Sequence, residues 1–346
     1  MIKSTLSIGV FLLLINSNLI LNDREYFNNQ AEISGFKAED IELKDDAFHN
    51  YNDLNCVEWW YFDATLNDGY SIQIILYVFV ILNYKVALTS YEIFKDGVEL
   101  CNREKFYLQE EFYTSPDTPI FIANDKTVMR GYINKTTGEW IYDLSLDINN
   151  DSIELQFIGS NKGCKGKLDV GSWAVILPNA DVKGKINVNT LDSEISGYGY
   201  HDHNWDMKLS VFANYGWYWG RVIFENYSVV YYIIMDTRVS YSQMVLIVFN
   251  ESSYSTFKPN DIHFLPGNYQ IEDYRLVPLE FEINANNNKF SLQMYLKTLS
   301  LHHGGRTFGI RNYWRYFIDS RGYLNVDSDD LFLIDGRQIS EYKRFR

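Results

Sequence analysis

The chain has 346 residues, of which 46% are hydrophobic, and it carries a formal net charge of −14. This length corresponds to roughly two domains, and the apolar content suffices for a large buried core, which excludes a disordered tail. The sequence contains no run of lysine and arginine, and its negative charge repels phosphate backbones and anionic membrane surfaces. We therefore expect no nucleic-acid partner.

The first 22 residues resemble a leader. An apolar stretch at positions 6–15 follows a single early lysine, and its length suits the hydrophobic part of a signal peptide better than a spanning helix. We interpret residues 1–22 as a signal peptide or anchor, with an uncleaved anchor or a cytosolic leader as the alternatives. The protein is then expected to be secreted or held at a membrane by this leader, and peripheral membrane contact is compatible with that location.

Alternating, strand-length stretches follow along the rest of the chain. Aromatic residues make up 16% of the sequence, and only six residues are proline, which favours pleated, half-buried surfaces. No convincing amphipathic helix occurs after position 35, so a parallel α/β fold is not expected. We predict an all-β, antiparallel chain whose clearest strands occupy positions 71–82, 139–148, 152–159, 227–236, 242–249 and 290–298.

One internal similarity suggests a duplication. The stretch EWWYFDATLNDGYSIQIILY from Glu58 matches GWYWGRVIFENYSVVYYI from Gly216, with Trp59 falling on Trp217. Both copies read as an aromatic strand, a short turn and an apolar strand. We predict two similar β-domains, 35–205 and 206–346, with the segment GYGYHDHNW (197–205) at their junction, where clefts commonly bind ligands.

Three motifs carry a family resemblance. WWYF at 59–62, GYGYHDHNW at 197–205 and WYWGR at 217–221, in this order, resemble the hydroxyneurosporene synthase (carotenoid 1,2-hydratase) and AttH-like family from about residue 35 onward. The resemblance implies two consecutive lipocalin-like β-barrels, a lipophilic small-molecule substrate, and neither a metal nor a cofactor. One departure is Asp206, which stands where the family usually has glycine.

Hydration of an isolated alkene requires an acid that protonates carbon. A carboxyl group in an apolar site keeps its proton at neutral pH, and Asp236 follows the apolar run YYIIM. Tyr232 shares a face with Asp236 on an extended strand and is predicted to order the substrate. The resemblance also implies a functional tyrosine and aspartate on this strand, although Ile234 stands where that tyrosine is expected. The alternative is that Asp236 caps a turn.

The HDHNW run offers groups that could place the attacking water and contact the substrate. In an extended strand His201, His203 and Trp205 share one face, and the opposite face carries Tyr200, Asp202 and Asn204. We predict that a neutral His203 holds or deprotonates the attacking water. His201 is expected to contact the substrate, while Asp202 and Asn204 orient the site.

Aromatic faces can stabilise a carbocation, and we assign that role to Trp205, Trp217 and Trp219. Two alternatives for the HDHNW run stay open. It could be a buried polar network that locks two barrels together. It could also hold a metal through His201 and His203, with Asp236 or Asp206 as the third ligand.

Other candidates are structural. Arg221 in WYWGR is expected to clamp the junction through Asp202 or Glu58, because an arginine in an apolar cleft needs a carboxylate. Trp59 and Trp60 are expected to orient the site. His302 and His303 precede two glycines and are expected in a turn.

Two functions remain at this point. No phosphate-binding loop, nucleotide fingerprint or recognisable nucleophile is present, which disfavours redox and acyl-transfer chemistry. The leading hypothesis is a hydratase, or a related cyclase or pericyclase, that acts on a lipophilic alkene or polyene between two barrels. The alternative is a non-catalytic carrier of a hydrophobic ligand.

Overall fold

A computed structural model describes residues 33–49, 55–160, 162–189, 191–208, 215–237, 240–304, 306–307, 310–327 and 330–345. The predicted leader, 1–22, lies outside the described residues. Within the described ranges the chain forms antiparallel strands joined by turns and short 3-10 helices, and it contains no α-helix. None of its described helices is long and apolar enough to cross a membrane. The predicted all-β class is confirmed.

The first sheet has 13 strands and curls into a nearly closed barrel. Its central path runs β5-β4-β3-β2-β13-β12-β10-β9-β8-β7-β6, and β11 adds to β12 with β1 beside it. Its strands are β1 Glu39–Asp40, β2 Asn55–Leu66, β3 Tyr70–Ile81, β4 Tyr84–Lys95, β5 Val98–Leu108, β6 Phe112–Thr114, β7 Ile120–Ala123, β8 Lys126–Ile133, β9 Trp140–Ile148, β10 Asp151–Gly159, β11 Cys164–Leu168, β12 Gly171–Val188 and β13 Leu191–Lys208.

The second sheet has nine strands and is more open, in the order β17-β16-β15-β14-β24-β23-β20-β19-β18. Strands β21 and β22, which come between β20 and β23 in the sequence, pair with each other in a separate two-stranded sheet. These strands are β14 Gly216–Phe224, β15 Tyr227–Met235, β16 Tyr241–Phe249, β17 Tyr254–Thr256, β18 Ile262–Glu272, β19 Arg275–Asn286, β20 Phe290–His303, β21 Arg306–Thr307, β22 Ile310–Arg311, β23 Tyr313–Val326 and β24 Asp330–Arg344.

Each sheet encloses one hydrophobic cluster, and a third cluster lies between the sheets. We call this third cluster and the polar groups within it the seam. Strand β15 shows why the third cluster exists. Val229, Tyr231 and Ile233 point into the second barrel, whereas Tyr232 and Ile234 point into the seam. A strand that is buried on both faces needs a continuous apolar run, and YSVVYYIIM is such a run.

The two aromatic hairpins that suggested a duplication occupy equivalent places. β2 and β3 pair across the turn at Asn67–Gly69, and β14 and β15 pair across a turn that begins at Glu225. Trp59 and Trp217 both contact the seam cluster as partly buried rings. The two sheets therefore meet through their corresponding hairpins.

The core of the first barrel offers a test of packing. Phe157 is fully buried, and its ring lies 5.3 Å from that of Phe62. We expect Phe157→Ala to lower the free energy of unfolding by about 3–5 kcal/mol, because it leaves a cavity that the sheet cannot close. Urea unfolding followed by fluorescence measures this change. Phe106→Ala, at a ring that is 53% exposed, is the control and should change stability by less than about 0.5 kcal/mol. Equal losses in the two variants would contradict this description of the core.

Candidate functional site

The segment GYGYHDHNW lies within β13, which lies between β2 and β12. Side chains alternate along a strand, so His201, His203 and Trp205 point into the first barrel. The intervening side chains face the seam: Tyr200, Asp202 and Asn204. The predicted site is therefore divided between two compartments on opposite faces of one strand.

On the barrel side, His203 lies between two carboxylates. Its Nδ1 is 3.2 Å from Oδ1 of Asp46, and its Nε2 is 2.8 Å from Oε1 of Glu58. His201 Nε2 is 3.1 Å from the other oxygen of Asp46, and His49 Nδ1 is 3.1 Å from Oε1 of Glu58. We call these five residues the imidazole cluster. Only His49 has an exposed side-chain fraction, which is 28%.

The carboxylates decide the charge of His203. Burial opposes a charged ring, but the hydrogen bonds and charges of Asp46 and Glu58 outweigh it and raise the pKa of His203 to about 9. Burial likewise acts to raise the pKa of Asp46, and the two histidines beside it lower that pKa to about 2. At neutral pH His203 is a cation in this arrangement. This charge differs from the prediction from the sequence, in which a neutral His203 holds or deprotonates the attacking water.

Aromatic rings cover the faces of these imidazoles. The centroid distances are 4.6 Å for Trp60 on His203, 3.8 Å for Phe62 on His201 and 4.3 Å for Trp205 on His49. Stacking holds each ring so that at least one of its nitrogen atoms points at a carboxylate, and the other nitrogen of His201 lies 2.9 Å from the backbone carbonyl of Tyr61. Trp205 thus packs in the first barrel and does not join the tryptophans of the seam.

On the seam side, Asp202 is a buried carboxyl group with neutral donors. Oδ2 accepts a hydrogen bond from the Tyr200 hydroxyl at 2.9 Å, and Oδ1 accepts one from the Asn204 amide at 3.1 Å. The Trp173 indole is a further donor. Burial raises the pKa of Asp202 to about 8, although the hydrogen bonds from Trp173 and Tyr200 oppose that rise. Asp202 is therefore a carboxylic acid at neutral pH.

Aromatic side chains from both sheets surround this acid. Tyr200 lies 5.3 Å from Trp219, and Trp173 lies 5.7 Å from Tyr232, as measured between ring centroids. Trp217 packs edge-on against Tyr232 at 5.9 Å. Trp59 also contacts the seam, where its ring lies 6.1 Å from that of Tyr77. Tyr232, Trp217 and Trp219 thus lie in or against the same seam cluster that faces Asp202.

A buried ionic network clamps the two sheets. Nε of Arg221 in the second sheet donates to Oδ1 of Asp63 in the first at 2.6 Å. The expected partners of Arg221 were Asp202 or Glu58, and that expectation is wrong. Asp202 has neutral donors, and Glu58 points into the barrel with the imidazole cluster. Arg315 lies 3.7 Å from the other oxygen of Asp63.

The same network continues through Glu341. Nη1 of Arg315 donates both to Oε1 of Glu341 and to the Tyr61 hydroxyl at 2.8 Å. Tyr61 donates to Oε1 of Glu341 at 2.7 Å, and the Gln73 amide donates to the same oxygen at 2.8 Å. These buried polar groups join β2 and β3 to β23 and β24. The clamp is therefore richer than the single arginine that the sequence indicated.

Asp236 lies outside both compartments. β15 ends at Met235, and Asp236 follows in an exposed bend whose backbone N–H donates to the carbonyl of Ser240 at 3.1 Å. Partial burial and the charge of Asp169 raise the pKa of Asp236. Tyr232, by contrast, is buried in the seam. The structure thus separates the predicted acid from its predicted tyrosine.

The backbone conformation at position 206 explains why aspartate stands where the resembled family usually has glycine. It adopts φ 55° at an irregularity of β13 between Asn204 and Met207. Glycine tolerates this left-handed conformation best, and aspartate is among the few other residues that adopt it. Its carboxylate accepts hydrogen bonds from Lys167 at 2.9 Å and from the Ser172 hydroxyl at 3.1 Å. Its charge is therefore compensated locally.

Sequence reasoning missed several of the groups that define the site. Asp46 comes from a short 3-10 helix, Leu43–Asp46, and no motif marks it. Glu58 was considered only as a partner for Arg221, although its even spacing from Trp60 placed it on the barrel face. Arg315 and Glu341 carry no local signal, because the pairing of β23 and β24 brings them to the seam.

A cavity of about 180 Å³ lies between the sheets near the turn that joins β2 and β3. Tyr70 and Gly97 line it from the first sheet, and Leu299, Phe317 and Ile339 line it from the second. Its walls combine apolar rings and side chains with the polar ends of neighbouring residues. The interface between the sheets is therefore not packed solid along its whole length.

The predicted turn histidines are in strand β20, which ends at His303. Nε2 of His302 lies 3.6 Å from Oε2 of Glu92 and 3.4 Å from Oε2 of Glu99. Burial raises the pKa of Glu92 to about 7, the charges of Glu99 and Glu341 add to that rise, and Arg315 opposes it. A further carboxyl group with a raised pKa, which is only partly exposed, therefore lies at the edge of the seam.

Comparison with known proteins gives the fold a name. No protein-family model matches the chain. A solved AttH protein from Nitrosomonas europaea superposes with a TM-score of 0.65 over 89% of this chain and 98% of its own, at 14% identity. The chain has the AttH fold. The consecutive lipocalin-like barrels predicted from the three motifs are thereby confirmed.

Two further similarities are more distant. CghA, solved with Sch210972, superposes with a TM-score of 0.50 over 84% of this chain and 88% of its own, at 11% identity. A curated relative, the hydroxyneurosporene dehydrogenase of Chlorobaculum tepidum, is 22% identical over 54% of this chain. The match spans 59% of that relative, so the chain covers about three fifths of its length.

Because Asp63 lies at the centre of the buried ionic network, loss of its charge should destabilise the folded protein. We expect Asp63→Asn to lower the free energy of unfolding by about 3–5 kcal/mol, because Arg221 and Arg315 then lose a buried counter-charge. Chemical denaturation measures the loss. Asp96→Asn is the control, since its pair with Arg337 is exposed and contributes less than about 1 kcal/mol. A loss at Asp63 no larger than the loss at Asp96 would show that the clamp does not hold the sheets.

Glu92 predicts a pH dependence. The ordinary pKa of its carboxyl is 4.5, whereas the folded value is about 7. The unfolded chain therefore loses this proton first, and stability falls as pH rises from 4.5 to 7, by on the order of 3 kcal/mol. Thermal unfolding across this range should show the fall in the natural chain and a flatter profile in Glu92→Gln. The exposed Glu104→Gln is the control, and a slope shared by all three proteins would rule out Glu92 as its source.

Proposed function

We propose that the protein is a hydratase-like enzyme that adds water to a double bond of a lipophilic alkene or polyene at the seam, with Asp202 as the acid. One observation carries the proposal. Asp202 is a buried carboxyl whose described hydrogen-bond partners are neutral, and indole and phenol rings surround it. A carboxyl group in this setting keeps its proton and has it available for transfer.

The reaction uses these groups in order. The π electrons of the alkene take the proton of Asp202, which leaves a carboxylate and a tertiary carbocation. The faces of Trp219 and Tyr232 stabilise that cation through their quadrupoles. A water molecule then adds its oxygen to the cation, and the surplus proton returns to the carboxylate. The acid is regenerated, and no oxidant, reductant or cofactor is consumed.

The residues on the opposite face of β13 support the reaction indirectly, by holding the strand in place. His203 and its carboxylates do not reach the seam, so we assign them a positioning role: they fix the strand that presents Asp202. The apolar part of the substrate is assigned to the interface between the sheets, including the cavity lined by Phe317 and Ile339. The aromatic and aliphatic side chains of the seam around Asp202 support an apolar substrate.

The comparisons agree with this class of substrate. The curated relative carries a hydroxylated neurosporene in its name, and the three sequence motifs resemble carotenoid hydratases. CghA, which shares this fold, was solved with the compound Sch210972. We therefore propose acyclic isoprenoid polyenes as the first substrates to test. A non-catalytic carrier would use the same seam, and turnover distinguishes the two.

The test follows the oxygen atom. Purified protein is incubated in heavy-oxygen water with a panel of acyclic polyenes and with a lipid extract of its source cells. Products are profiled by mass spectrometry. We expect a labelled water adduct, and a loss of at least about 100-fold in its rate of formation in Asp202→Asn, as for removal of a general acid. Asp181→Asn, at an exposed carboxyl on β12, should retain activity.

Asp236→Asn decides between the two acids. Loss of the adduct in Asp236→Asn with full activity in Asp202→Asn would return the role to the acid predicted from the sequence. Conversion without added mass would identify a cyclase or isomerase instead of a hydratase. Retention of a lipid without conversion by any of the proteins would identify a carrier.

A further inference from the structure

The imidazole cluster contains a set of donors that the proposed reaction does not use. Oε1 of Glu58 lies 3.1 Å from Nδ1 of His49 and 2.8 Å from Nε2 of His203. Ligand atoms of all three residues lie within 4.8 Å of one another. Three parts of the chain supply them: the segment before β2, β2 itself and β13. We infer that His49, Glu58 and His203 bind one divalent transition-metal ion, with Zn²⁺ as the best match.

The two separations from Oε1 of Glu58 are close to those expected around such an ion. Zinc bonds to imidazole nitrogen and carboxylate oxygen are roughly 2.0–2.2 Å long, so neighbouring ligand atoms around a tetrahedral ion lie roughly 3.3 Å apart. The two separations from Glu58 need only small adjustments to reach that value. Two imidazoles and one carboxylate favour zinc or ferrous iron, whereas calcium and magnesium require oxygen ligands throughout. A fourth position would remain for water.

A supporting carboxylate is already in place. Oδ1 of Asp46 lies 3.2 Å from Nδ1 of His203, on the side of the ring opposite Glu58. Histidines that bind metals almost always donate their second N–H to such a group, which fixes the ring and its tautomer. The backbone carbonyl of Asp46 accepts a hydrogen bond from the Trp60 indole at 2.9 Å, and Trp60 stacks on His203. The ring is therefore oriented by the protein.

Charge also favours a cation at this place. The side chains of Asp46 and Glu58 are completely buried, and the described ion pairs of both involve only histidines. A divalent ion would balance the charge of Glu58 directly and that of Asp46 through the ring of His203, with the Nε2 proton of His203 released on binding. His49 provides the route of entry, because 28% of its side chain is exposed.

This site differs from the one considered from the sequence. His201 turns its Nε2 toward Asp46, so it does not share an ion with His203. Asp206 pairs with Lys167, and Asp236 lies in an exposed bend beyond β15. The ion would tie the segment that contains His49 to the barrel wall. The ion takes no step in the proposed hydration, because the seam lies on the other face of β13, and metal binding is measured without reference to turnover.

The test uses the full chain without a histidine tag, after treatment with a chelator. Titration with Co²⁺ should produce visible d–d absorption with the intensity of a four-coordinate or five-coordinate site. Calorimetry with Zn²⁺ should give one ion per chain, and thermal unfolding should shift upward with zinc concentration, since the ion binds only the folded site. Circular dichroism before and after chelation establishes that the apo chain is folded.

Three substitutions locate the ion. Glu58→Gln and His49→Ala should each weaken zinc binding by at least about 100-fold, and Asp46→Asn by about 10–100-fold. His263→Ala is the matched control, because that histidine is exposed on β18 and should leave the affinity unchanged. His49→Ala is the decisive variant, since His49 lies outside the strands and is partly exposed.

Two results would overturn the inference. The first is a folded apo chain that takes up no Zn²⁺ or Co²⁺ at millimolar concentration. The second is stoichiometric binding that His49→Ala leaves intact while the variant remains folded. Neither result bears on the heavy-oxygen assay, so the metal site and the proposed hydratase succeed or fail separately.

Discussion

Burial of both faces of β13 is the constraint on which the rest of this molecule depends. A strand at the wall of an isolated barrel has one side in water, but β13 has the first barrel on one side and the second sheet on the other. Every side chain from Tyr200 to Trp205 must therefore find a partner within the protein. The polar residues of HDHNW satisfy this demand in two directions, and this is why so many hydrogen-bonding groups occupy so short a segment.

The two compartments solve the burial of charge differently. Inside the first barrel, Asp46 and Glu58 face imidazole rings, so negative charge meets positive charge at short range. At the seam, Asp63 and Glu341 face arginines, and Asp202 is instead surrounded by neutral donors. An uncompensated carboxyl in an apolar place is costly when ionised, and it avoids that cost by keeping its proton. Burial in the seam thus keeps on Asp202 a proton that the carboxyl group can donate.

Local patterns predicted much of the architecture. The apolar, β-rich run YSVVYYIIM indicated a strand, and the opposite faces of HDHNW followed from the two-residue period of a pleated chain. The same period cannot say what lies beyond each face. Trp205 and Trp219 were both predicted to stabilise a carbocation in one site, yet they pack in different clusters. The local sequence determines which side chains share a face of a strand, whereas the packing of the two sheets determines which cluster buries that face.

Long-range pairing explains the remaining differences. Arg315 reaches Tyr61 across most of the length of the chain, and Asp46 reaches His201 from a short 3-10 helix without a motif. Asp236 illustrates the opposite problem. A continuous apolar run predicted that its strand would carry it inward, but β15 ends one residue earlier and the chain bends into solvent. The end of a strand is set by its neighbours as well as by its own residues.

The irregularity at Asp206 gives the segment an additional property. Beyond Asn204 the pairing of β13 with β2 shifts, and Asp206 takes a left-handed backbone conformation there. A single inserted or deleted residue on the near side of this point would invert the strand and turn Asp202 toward Asp46 and Glu58. Three carboxyl groups would then crowd one dry space while the seam lost its acid. The number of residues between Gly197 and the irregularity at Asp206 is therefore as strongly constrained as their identity. Variation in this segment should occur by substitution and not by insertion or deletion.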